Sequence, residues 1–215
     1  GARPRTAGLR TGASSRPEAP PGAVEFPTLF TARLRLVIAR PGLEEPLARF
    51  FAENFAGHLK PWSPTPPPGG LGADHWARQL PGFEKEFAAG TSARWVLLVP
   101  GEATEVAGTC SFTQVARGPF RACVLGYQVA RRHEGRGLMR EALEAAIGYA
   151  FGEMRLHRVM ANYRPENERS ARLLERLGFV KEGYAREYLH IDGAWRDHVL
   201  TARTNPGFDA AWLRE

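Results

Sequence analysis

Residues 124–150, VLGYQVARRHEGRGLMREALEAAIGYA, decide the fold of this chain. They begin within a run rich in apolar and aromatic residues, RACVLGYQVA at residues 121–130, which predicts a strand. They continue into residues 137–153, where apolar residues recur at helical spacing and predict an amphipathic helix. Between the two lies RRHEGRG, residues 131–137, whose glycines allow a tight backbone turn. This order predicts that free N–H groups at the helix start face the loop.

The loop carries positive charge from Arg131, Arg132 and Arg136. Together with the positive end of the helix dipole, these side chains predict a cradle for a diphosphate. The loop lacks the Gly-Lys-Ser/Thr of a P-loop and the third glycine of a dinucleotide fold, so neither of those sites is indicated. Taken alone, Gly135-x-Gly137 also fits an ordinary tight turn.

The rest of the chain predicts a mixed α/β domain of the α+β class. Further strands are expected at residues 30–40, 94–99, 105–115 and 157–163, and further helices at residues 44–59, 73–89 and 167–177. Pro81 is expected to interrupt the second helix. Gly178 is expected to end the last helix in a left-handed conformation. The pair Asp192-Gly193 predicts the turn of a final hairpin.

Composition and charge limit the possible functions. The chain has 215 residues and is 43% hydrophobic, which suits one large domain over residues 23–215. Residues 1–22 are rich in Arg, Gly, Ala, Ser and Pro and predict a flexible basic arm, either a dispensable tail or a contact to a partner. The net charge of +6 predicts a mild positive field, but no pure Lys/Arg run indicates a nucleic-acid surface. No apolar run approaches the roughly 20 residues of a membrane span, so we expect no membrane and a cytoplasmic protein.

The sequence contains two cysteines, Cys110 and Cys123, and six histidines. Two cysteines are too few for a disulfide framework or a metal cluster, so we expect reduced, buried thiols. The histidines show no spacing typical of metal ligands, and no metal is expected.

The pattern Arg132-x-x-Gly135-x-Gly137 resembles the acetyl-CoA pyrophosphate loop of the GNAT superfamily, and the order of elements fits over about residues 30–205. Three runs, GYQVARRHEGRGLMREAL, HRVMANYRPENERSARLLERLGFVKEGYA and YLHIDGAWRDHVLTA, are similar to the RimJ-type ribosomal-protein-alanine N-acetyltransferases, over about residues 126–204. The resemblance implies a GNAT fold: a mixed, mostly antiparallel central sheet whose central strands splay, with helices on both faces.

The resemblance also implies acetyl-CoA as cosubstrate. Its pantetheine arm is expected between the strands at residues 124–130 and 157–163, beside the backbone of Val129 and Ala130. Asn167 matches the helix-start asparagine that meets the pantetheine, and it equally fits a helix N-cap. The residues expected to hold the diphosphate are Arg132, His133, Glu134, Gly135, Arg136, Gly137 and Leu138.

Ser170 matches a serine that contacts the cofactor and, in relatives, donates a proton to the leaving thiolate. A solvated helix serine is the alternative. Many relatives carry a tyrosine acid four residues further on, where this chain has Leu174. Tyr163 is a substitute only if its strand points it into the cleft.

The general base is left open between Glu187, Asp197 and His198. The last two lie in the run WRDHV and equally fit a structural role in a hairpin. Because an α-amino group has a pKa near 8, a modest fraction is already neutral at pH 7, and a base acting through water would suffice.

The expected reaction is direct attack of an amine on the thioester in a ternary complex. By resemblance, the acceptor is a protein N-terminus, that of an alanine-starting ribosomal protein. Two alternatives stay open: an acceptor that is a small amine, an amino acid or an antibiotic, and a protein that mainly binds ribosomal particles or RNA. A monomer and a homodimer are both compatible with the sequence.

Overall fold

The computed structural model describes residues 25–101 and 105–214, and the expected arm at residues 1–22 lies outside them. Within these residues, eight strands form one sheet and four α-helices pack against it. The strands are β1 (Thr28–Phe30), β2 (Arg35–Ile38), β3 (Ala93–Leu98), β4 (Val106–Ala116), β5 (Ala122–Val129), β6 (Arg158–Tyr163), β7 (Val180–Ile191) and β8 (Ala194–Thr204). The helices are α1 (Glu44–Asn54), α2 (Ala73–Ala88), α3 (Leu138–Gly152) and α4 (Glu168–Arg176).

The strand order in the sheet is β1-β2-β3-β4-β5-β6-β8-β7. Every neighbouring pair is antiparallel except β5 and β6, which run parallel. The parallel pair arises because the chain leaves β5, returns through α3 and enters β6 in the same direction. The predicted mixed, mostly antiparallel sheet is confirmed.

Helices cover both faces of the sheet, as predicted. On one face, α3 and α4 bury Leu143, Ile147 and Leu174 in the main hydrophobic core. On the opposite face, α1 and α2 bury Phe50 and Leu80 in a second core. We call these the α3–α4 face and the α1–α2 face.

The prediction of one strand over residues 30–40 is wrong. The chain turns after β1 and runs back as β2, and the two strands pair with each other. The turn is closed by Thr31, whose N–H donates to the Leu34 carbonyl at 2.9 Å and whose Oγ1 accepts from the Leu34 N–H at 3.0 Å. A turn closed by a threonine side chain does not interrupt the alternation of apolar residues, so that alternation does not reveal it.

The prediction that Pro81 interrupts the second helix is also wrong, since α2 continues through it. Proline removes one N–H donor and would orphan the carbonyl of Ala77, four residues earlier. Both Ala77 and Pro81 lie on the exposed side of the helix, where water can hydrogen-bond that carbonyl. Leu80, on the opposite side, is fully buried and holds the helix to the sheet.

The first helix ends earlier than residue 59. The side chain of Asn54 donates to the Phe50 carbonyl at 2.7 Å, and the chain widens into a π-turn at Phe55–Leu59 and a 3-10 turn at Lys60–Trp62. This irregular segment lies against the end of β5. It carries His58 and Trp62 to the cleft described below.

The two turns predicted from glycine are confirmed. Gly178 has φ of +79° and follows the last turn of α4. Asp192 and Gly193 both have positive φ, +48° and +75°, as the two-residue hairpin turn between β7 and β8 requires.

Candidate functional site

The sheet opens between its two central strands. Strands β5 and β6 pair at three positions and the last of them is Val124 with Met160. Beyond that point β5 stays paired with β4 and β6 stays paired with β8. The predicted splay is therefore present, and it leaves a cleft of about 1060 Å³ between the strands.

The backbone of β5 offers hydrogen-bonding groups to this cleft. The Ala130 N–H donates to the Ala107 carbonyl at 2.8 Å, towards β4. Because backbone groups alternate in direction along an antiparallel strand, those of Tyr127 and Val129 point away from β4 and into the gap. One of them, the Val129 carbonyl, lies 3.0 Å from His58 Nε2. Val129 therefore lines the cleft as expected, whereas Ala130 is buried and its N–H is used within the sheet.

The loop after β5 forms one wall of the cleft. It makes a short 3-10 turn over Arg131–His133 and reaches α3 through Gly135 and Gly137, with φ of +70° and +74°. Left-handed φ values of this kind favour glycine. They aim the first N–H groups of α3, at the positive end of its dipole, at the cleft.

The seven loop residues predicted to hold the diphosphate divide into two groups. Five line the cleft, and these are His133, Glu134, Gly135, Gly137 and Leu138. The other two side chains, those of Arg132 and Arg136, do not line the cleft and contact neighbouring side chains instead. Arg132 pairs with Glu105 at 3.0 Å, and Arg136 Nη1 lies 3.4 Å from His133 Nδ1.

A residue from the distant β1–β2 turn supports the loop. Arg33 Nη1 donates to the Arg136 carbonyl at 2.8 Å, and its Nε donates to Glu141 at 2.7 Å. Glu141, in the first turn of α3, also accepts from Thr31 Oγ1 at 2.6 Å. Burial alone would raise the pKa of the Glu141 carboxyl, but the hydrogen bonds from Thr31 and Arg33 outweigh it and lower that pKa from its usual value. We call Thr31, Arg33 and Glu141 the loop buttress.

Helix α4 forms the second wall. Asn167 caps the helix, and its Oδ1 accepts from the Ser170 N–H at 3.1 Å; Asn167 and Ser170 both line the cleft. The Ser170 hydroxyl lies 2.5 Å from the hydroxyl of Tyr127, on β5. Burial raises the pKa of the Tyr127 phenol to about 12, and a neutral phenol therefore faces Ser170 at neutral pH.

The walls on the α3–α4 face are rich in arginine. Four arginines line the cleft there: Arg140, Arg169, Arg172 and Arg176. Arg169 forms an ion pair with Glu134 that spans the cleft from α4 to the loop. Arg140 and Arg172 are likewise paired with Glu144 and Glu168, so the attraction for an anion on this half comes mainly from the start of α3 and from Arg176.

The half of the cleft on the α1–α2 face is lined mostly by uncharged side chains. Gly126 and Gln128 lie on this face because side chains alternate along β5. On the neighbouring strand β4, Ser111 pairs with Gly126 and Thr109 pairs with Gln128. Gln128 Nε2 donates to the buried Ser63 at 2.9 Å and so ties the irregular segment to the strand. His58, Trp62 and Ser63 line the same half.

Gly126 is exposed although it lies in the middle of a central strand. A Cβ built on it would come no closer than 3.4 Å to another atom, the Ser111 Oγ. A strand glycine with open space above it marks a position where a ligand can approach the backbone.

The three candidate bases lie together on the β7–β8 hairpin and none lines the cleft. Asp197 accepts from the Tyr184 hydroxyl at 2.7 Å and from the backbone N–H of Glu187 at 2.8 Å. The first of these bonds lowers the pKa of the Asp197 carboxyl. Glu187 sits in a strand irregularity with φ of +47°, and His198 is buried with Nδ1 3.0 Å from the Arg196 carbonyl. In this structure Asp197 shapes the hairpin.

Two other predictions are settled by burial. Tyr163 is 5% exposed, packs in the main core and is not among the residues that line the cleft, although it lies close enough to Tyr127 to contribute to the raised pKa of that phenol. Cys110 and Cys123 are free and buried, as predicted. Burial raises the pKa of both thiols, that of Cys123 to about 12.

Several contributors to the site were not predicted from the sequence, and four of them matter most for the argument. They are Arg33, His58, Gly126 and Tyr127. Gly126 carried a signal, since a glycine inside a β-rich run suggests a ligand or a close backbone approach. Arg33 carried none, because its contacts join parts of the chain that are 103 and 108 residues apart.

Comparison with known proteins agrees with this geometry. A family model described as "Acetyltransferase (GNAT) domain" matches residues 33–180, which is more than half of the chain. The chain belongs to the GNAT acetyltransferase family. Acetyltransferases with the GNAT fold use acetyl-CoA as the acetyl donor.

Three relatives are particularly similar to this GNAT protein. The [ribosomal protein uS5]-alanine N-acetyltransferase of Escherichia coli (strain K12) is 48% identical over 160 residues, covering 74% of this chain and 81% of the relative. The crystal structure of ribosomal-protein-S5-alanine acetyltransferase from Vibrio fischeri has a TM-score of 0.80 at 32% identity, covering 85% of this chain and 98% of the other. Mycobacterium smegmatis RimJ in complex with CoA-disulfide has a TM-score of 0.70 at 30% identity, covering 81% and 86%.

Two further features of the described part of the chain concern membrane spans and metal ions. None of its helices has the length and apolar character needed to cross a membrane. Residues 25–101 and 105–214 bring no three His, Cys, Asp or Glu side chains together in a way that would hold a metal ion.

Proposed function

We propose that this GNAT protein transfers the acetyl group of acetyl-CoA to the N-terminal α-amino group of a protein that begins with alanine, and that this protein is ribosomal protein uS5. The observation that carries the proposal is the cleft that passes through the sheet. In this proposal one end of the cleft receives the anionic nucleotide and the other receives the small acceptor group. The similarity to the uS5-alanine N-acetyltransferase of Escherichia coli supports the choice of acceptor.

The donor would occupy the α3–α4 half. The N–H groups at the start of α3, presented through Gly135 and Gly137, suit the diphosphate, and the surrounding arginines suit its charge. The backbone groups of Tyr127 and Val129 that face the gap suit the amides of the pantetheine arm. When bound, acetyl-CoA supplies an acetyl thioester.

The acceptor would enter from the α1–α2 half. The floor of Gly126, Ser111 and Thr109 leaves room for a small side chain beside the reacting amine, and Trp62 offers an apolar surface to the following residue. This floor carries no charge that would hold the distant ammonium groups of a polyamine. The composition of this half therefore supports a protein N-terminus that begins with a small residue.

The acidity of the amine favours the same acceptor. The attacking nitrogen must be neutral, and an α-amino group with a pKa near 8 is roughly a tenth neutral at pH 7, whereas a lysine with a pKa near 10.4 is neutral in well under one molecule in a thousand. On the acceptor half the cleft offers His58, whose Nε2 lies 3.7 Å from the Glu134 carboxylate, and an α-amine needs no stronger base than this. Backbone N–H groups of β5 that face the gap would stabilise the oxyanion that forms on attack.

The proposal is tested by CoA thiol release with matched acceptors. The first is a peptide with a free N-terminal alanine, the second is the same peptide with a blocked N-terminus and an internal lysine, and the third is spermidine. We expect release with the first alone, and mass spectrometry should place the acetyl group on the α-nitrogen. A peptide with the uS5 N-terminal sequence should be the better alanine substrate. Release with spermidine but not with peptides would overturn the acceptor assignment.

A further inference from the structure

The junction of β5 and α4 holds a pair of hydroxyl groups, of which the family resemblance accounts for Ser170 alone. Tyr127 OH and Ser170 Oγ lie 2.5 Å apart, and both residues line the cleft where the sheet opens. The two side chains come from different elements, 43 residues apart in sequence. A direct hydrogen bond between two neutral hydroxyls inside a cleft orders both of them.

The direction of this hydrogen bond follows from chemistry. A phenol is a stronger acid than an aliphatic alcohol, so Tyr127 is the better donor and Ser170 the better acceptor. Burial raises the pKa of Tyr127 to about 12, which keeps its proton in place at neutral pH. If Tyr127 donates to Ser170 Oγ, the proton of Ser170 points elsewhere.

The surroundings of Ser170 restrict where its proton can point. Its backbone N–H already donates to Asn167 Oδ1 at 3.1 Å, which fixes the first turn of α4. Helical geometry holds the serine Cβ, and Tyr127 occupies one side of its oxygen. Because Ser170 lines the cleft, its proton can point there.

We infer that Tyr127 is a positioning residue that orients Ser170 as the proton donor to the leaving thiolate and restores its proton. The inference rests on the proposed acetyl transfer. It adds a second hydroxyl, supplied by the strand, to a step that the sequence resemblance gave to Ser170 alone.

The step balances as follows. The amine nitrogen bonds to the acetyl carbon while the carbon–sulfur bond breaks. Ser170 gives its hydroxyl proton to the departing sulfur and takes the hydroxyl proton of Tyr127. The proton that the nitrogen loses on becoming an amide returns through water to the Tyr127 oxygen, so both hydroxyls are restored.

A double-mutant cycle tests this coupling. Tyr127→Phe, Ser170→Ala and the double variant are compared in single turnovers with acetyl-CoA already bound and an alanine-starting peptide added. We expect Ser170→Ala to slow the acetyl-transfer step roughly 10²-fold and Tyr127→Phe roughly 10-fold, within the range of general acid catalysis. The double variant should be no slower than Ser170→Ala, because Tyr127 acts only through Ser170.

A matched control removes a different phenol. Tyr149 lies on α3 against Trp95, with ring centroids 5.1 Å apart, and does not line the cleft. Tyr149→Phe should therefore leave the single-turnover rate unchanged. The affinity of Tyr127→Phe for acetyl-CoA should stay within about threefold of the wild type, which separates an effect on chemistry from one on binding.

A second measurement needs no variant. The single-turnover rate in mixtures of light and heavy water should fall along a curve, because two protons move together in the Tyr127–Ser170 pair. In Tyr127→Phe the dependence should become linear.

Three results would overturn the inference: a wild-type rate in Tyr127→Phe, a double variant in which the two single effects multiply, or a linear solvent dependence in the wild type. If the wild type itself releases no CoA thiol with any acceptor, the proposed function fails instead. The two failures are therefore distinguishable.

Discussion

Val124 and Met160 are the last residues at which β5 and β6 run side by side. From there β5 keeps its bonds to β4 and β6 keeps its bonds to β8, so the sheet divides without losing its outer ladders. Side chains that alternate along β5 then reach the cleft from both faces. Tyr127 reaches it from the α3–α4 face and Gly126 from the α1–α2 face. A single opening thus joins a donor half to an acceptor half.

The loop after β5 should tolerate no acidic side chain at Gly137. This residue has φ of +74°, and a Cβ there would point towards Arg33 Nη2 at 3.6 Å. We expect Gly137→Glu to weaken acetyl-CoA binding by roughly 100-fold or more, about 2.7 kcal/mol, through strain and repulsion of the diphosphate. Isothermal titration calorimetry measures the change.

The matched control for that variant is Gly148→Glu. Gly148 lies on the exposed side of the same helix with open space around it. The Gly148→Glu variant adds the same charge far from the loop and should bind acetyl-CoA like the wild type. Equal affinities for Gly137→Glu and the wild type would show that the loop does not hold the diphosphate.

A larger side chain in the acceptor half should impair the reaction of the peptide substrate without weakening acetyl-CoA binding. Gly126→Val adds a branched side chain to the exposed centre of β5, a backbone position without positive φ where valine is favourable. We expect kcat/KM for an alanine-starting peptide to fall roughly 10- to 100-fold, or about 1.4–2.7 kcal/mol, while acetyl-CoA affinity is kept. Gly126→Ala should lie between the wild type and valine. Loss of acetyl-CoA binding in Gly126→Val, with the peptide KM unchanged, would reverse the assignment of the two halves.

The loop buttress should make part of the stability depend on pH. Because the pKa of Glu141 is lowered in the folded protein, its contribution is fully present above the ordinary carboxyl pKa and is lost as the pH falls through the lowered value. At pH 7, Glu141→Gln should lower the free energy of unfolding on the order of 1–3 kcal/mol, as expected for hydrogen bonds to a charged group.

Chemical denaturation at two pH values measures this effect. The difference between Glu141→Gln and the wild type should be large at pH 7 and should shrink under acid conditions where Glu141 is protonated. The control is Glu144→Gln, because Glu144 makes an exposed pair with Arg140 on the same helix and should contribute little at either pH. A difference for Glu141→Gln that does not change with pH would contradict the role of its charge.

The two cysteines should not react with the thiol reagent used to detect CoA release. Cys110 and Cys123 are buried, and burial raises the pKa of both thiols, so the reactive thiolate is scarce at neutral pH. We expect an aromatic disulfide reagent to detect no protein thiol in the native enzyme and both thiols after denaturation in guanidinium. Rapid labelling of the native protein would show that one of the two is accessible.

The sequence predicts the backbone correctly where a short pattern is compatible with only one local conformation. The glycines at 135 and 137, the helix end at Gly178 and the Asp192-Gly193 turn were all placed correctly, because left-handed backbone leaves few choices of residue. The interruption predicted at Pro81 is wrong because a helix tolerates proline where water can hydrogen-bond the carbonyl four residues earlier. Hydrophobic periodicity alone does not show that this carbonyl faces water.

Contacts across long stretches of chain could not be predicted in this way. The bond between Tyr127 and Ser170 joins residues 43 apart, and the support of Arg136 by Arg33 joins residues 103 apart. Hydrophobic patterning predicts which face of an element is buried, and it does not say which polar side chains meet across the sheet. For the same reason, the sequence alone does not decide the roles of Asp197 and His198.

The most direct test of the two-sided cleft is the affinity of a conjugate in which the acetyl group links the CoA sulfur to the α-nitrogen of an alanine-starting peptide. Calorimetry on the wild type should show binding roughly 100-fold tighter than CoA alone, because one molecule then fills both halves. Gly126→Val should bring the conjugate's affinity down to that of CoA, and Gly137→Glu should weaken both ligands. A conjugate that binds the wild type no more tightly than CoA would contradict the account, since the peptide would then have no site beside the acetyl group.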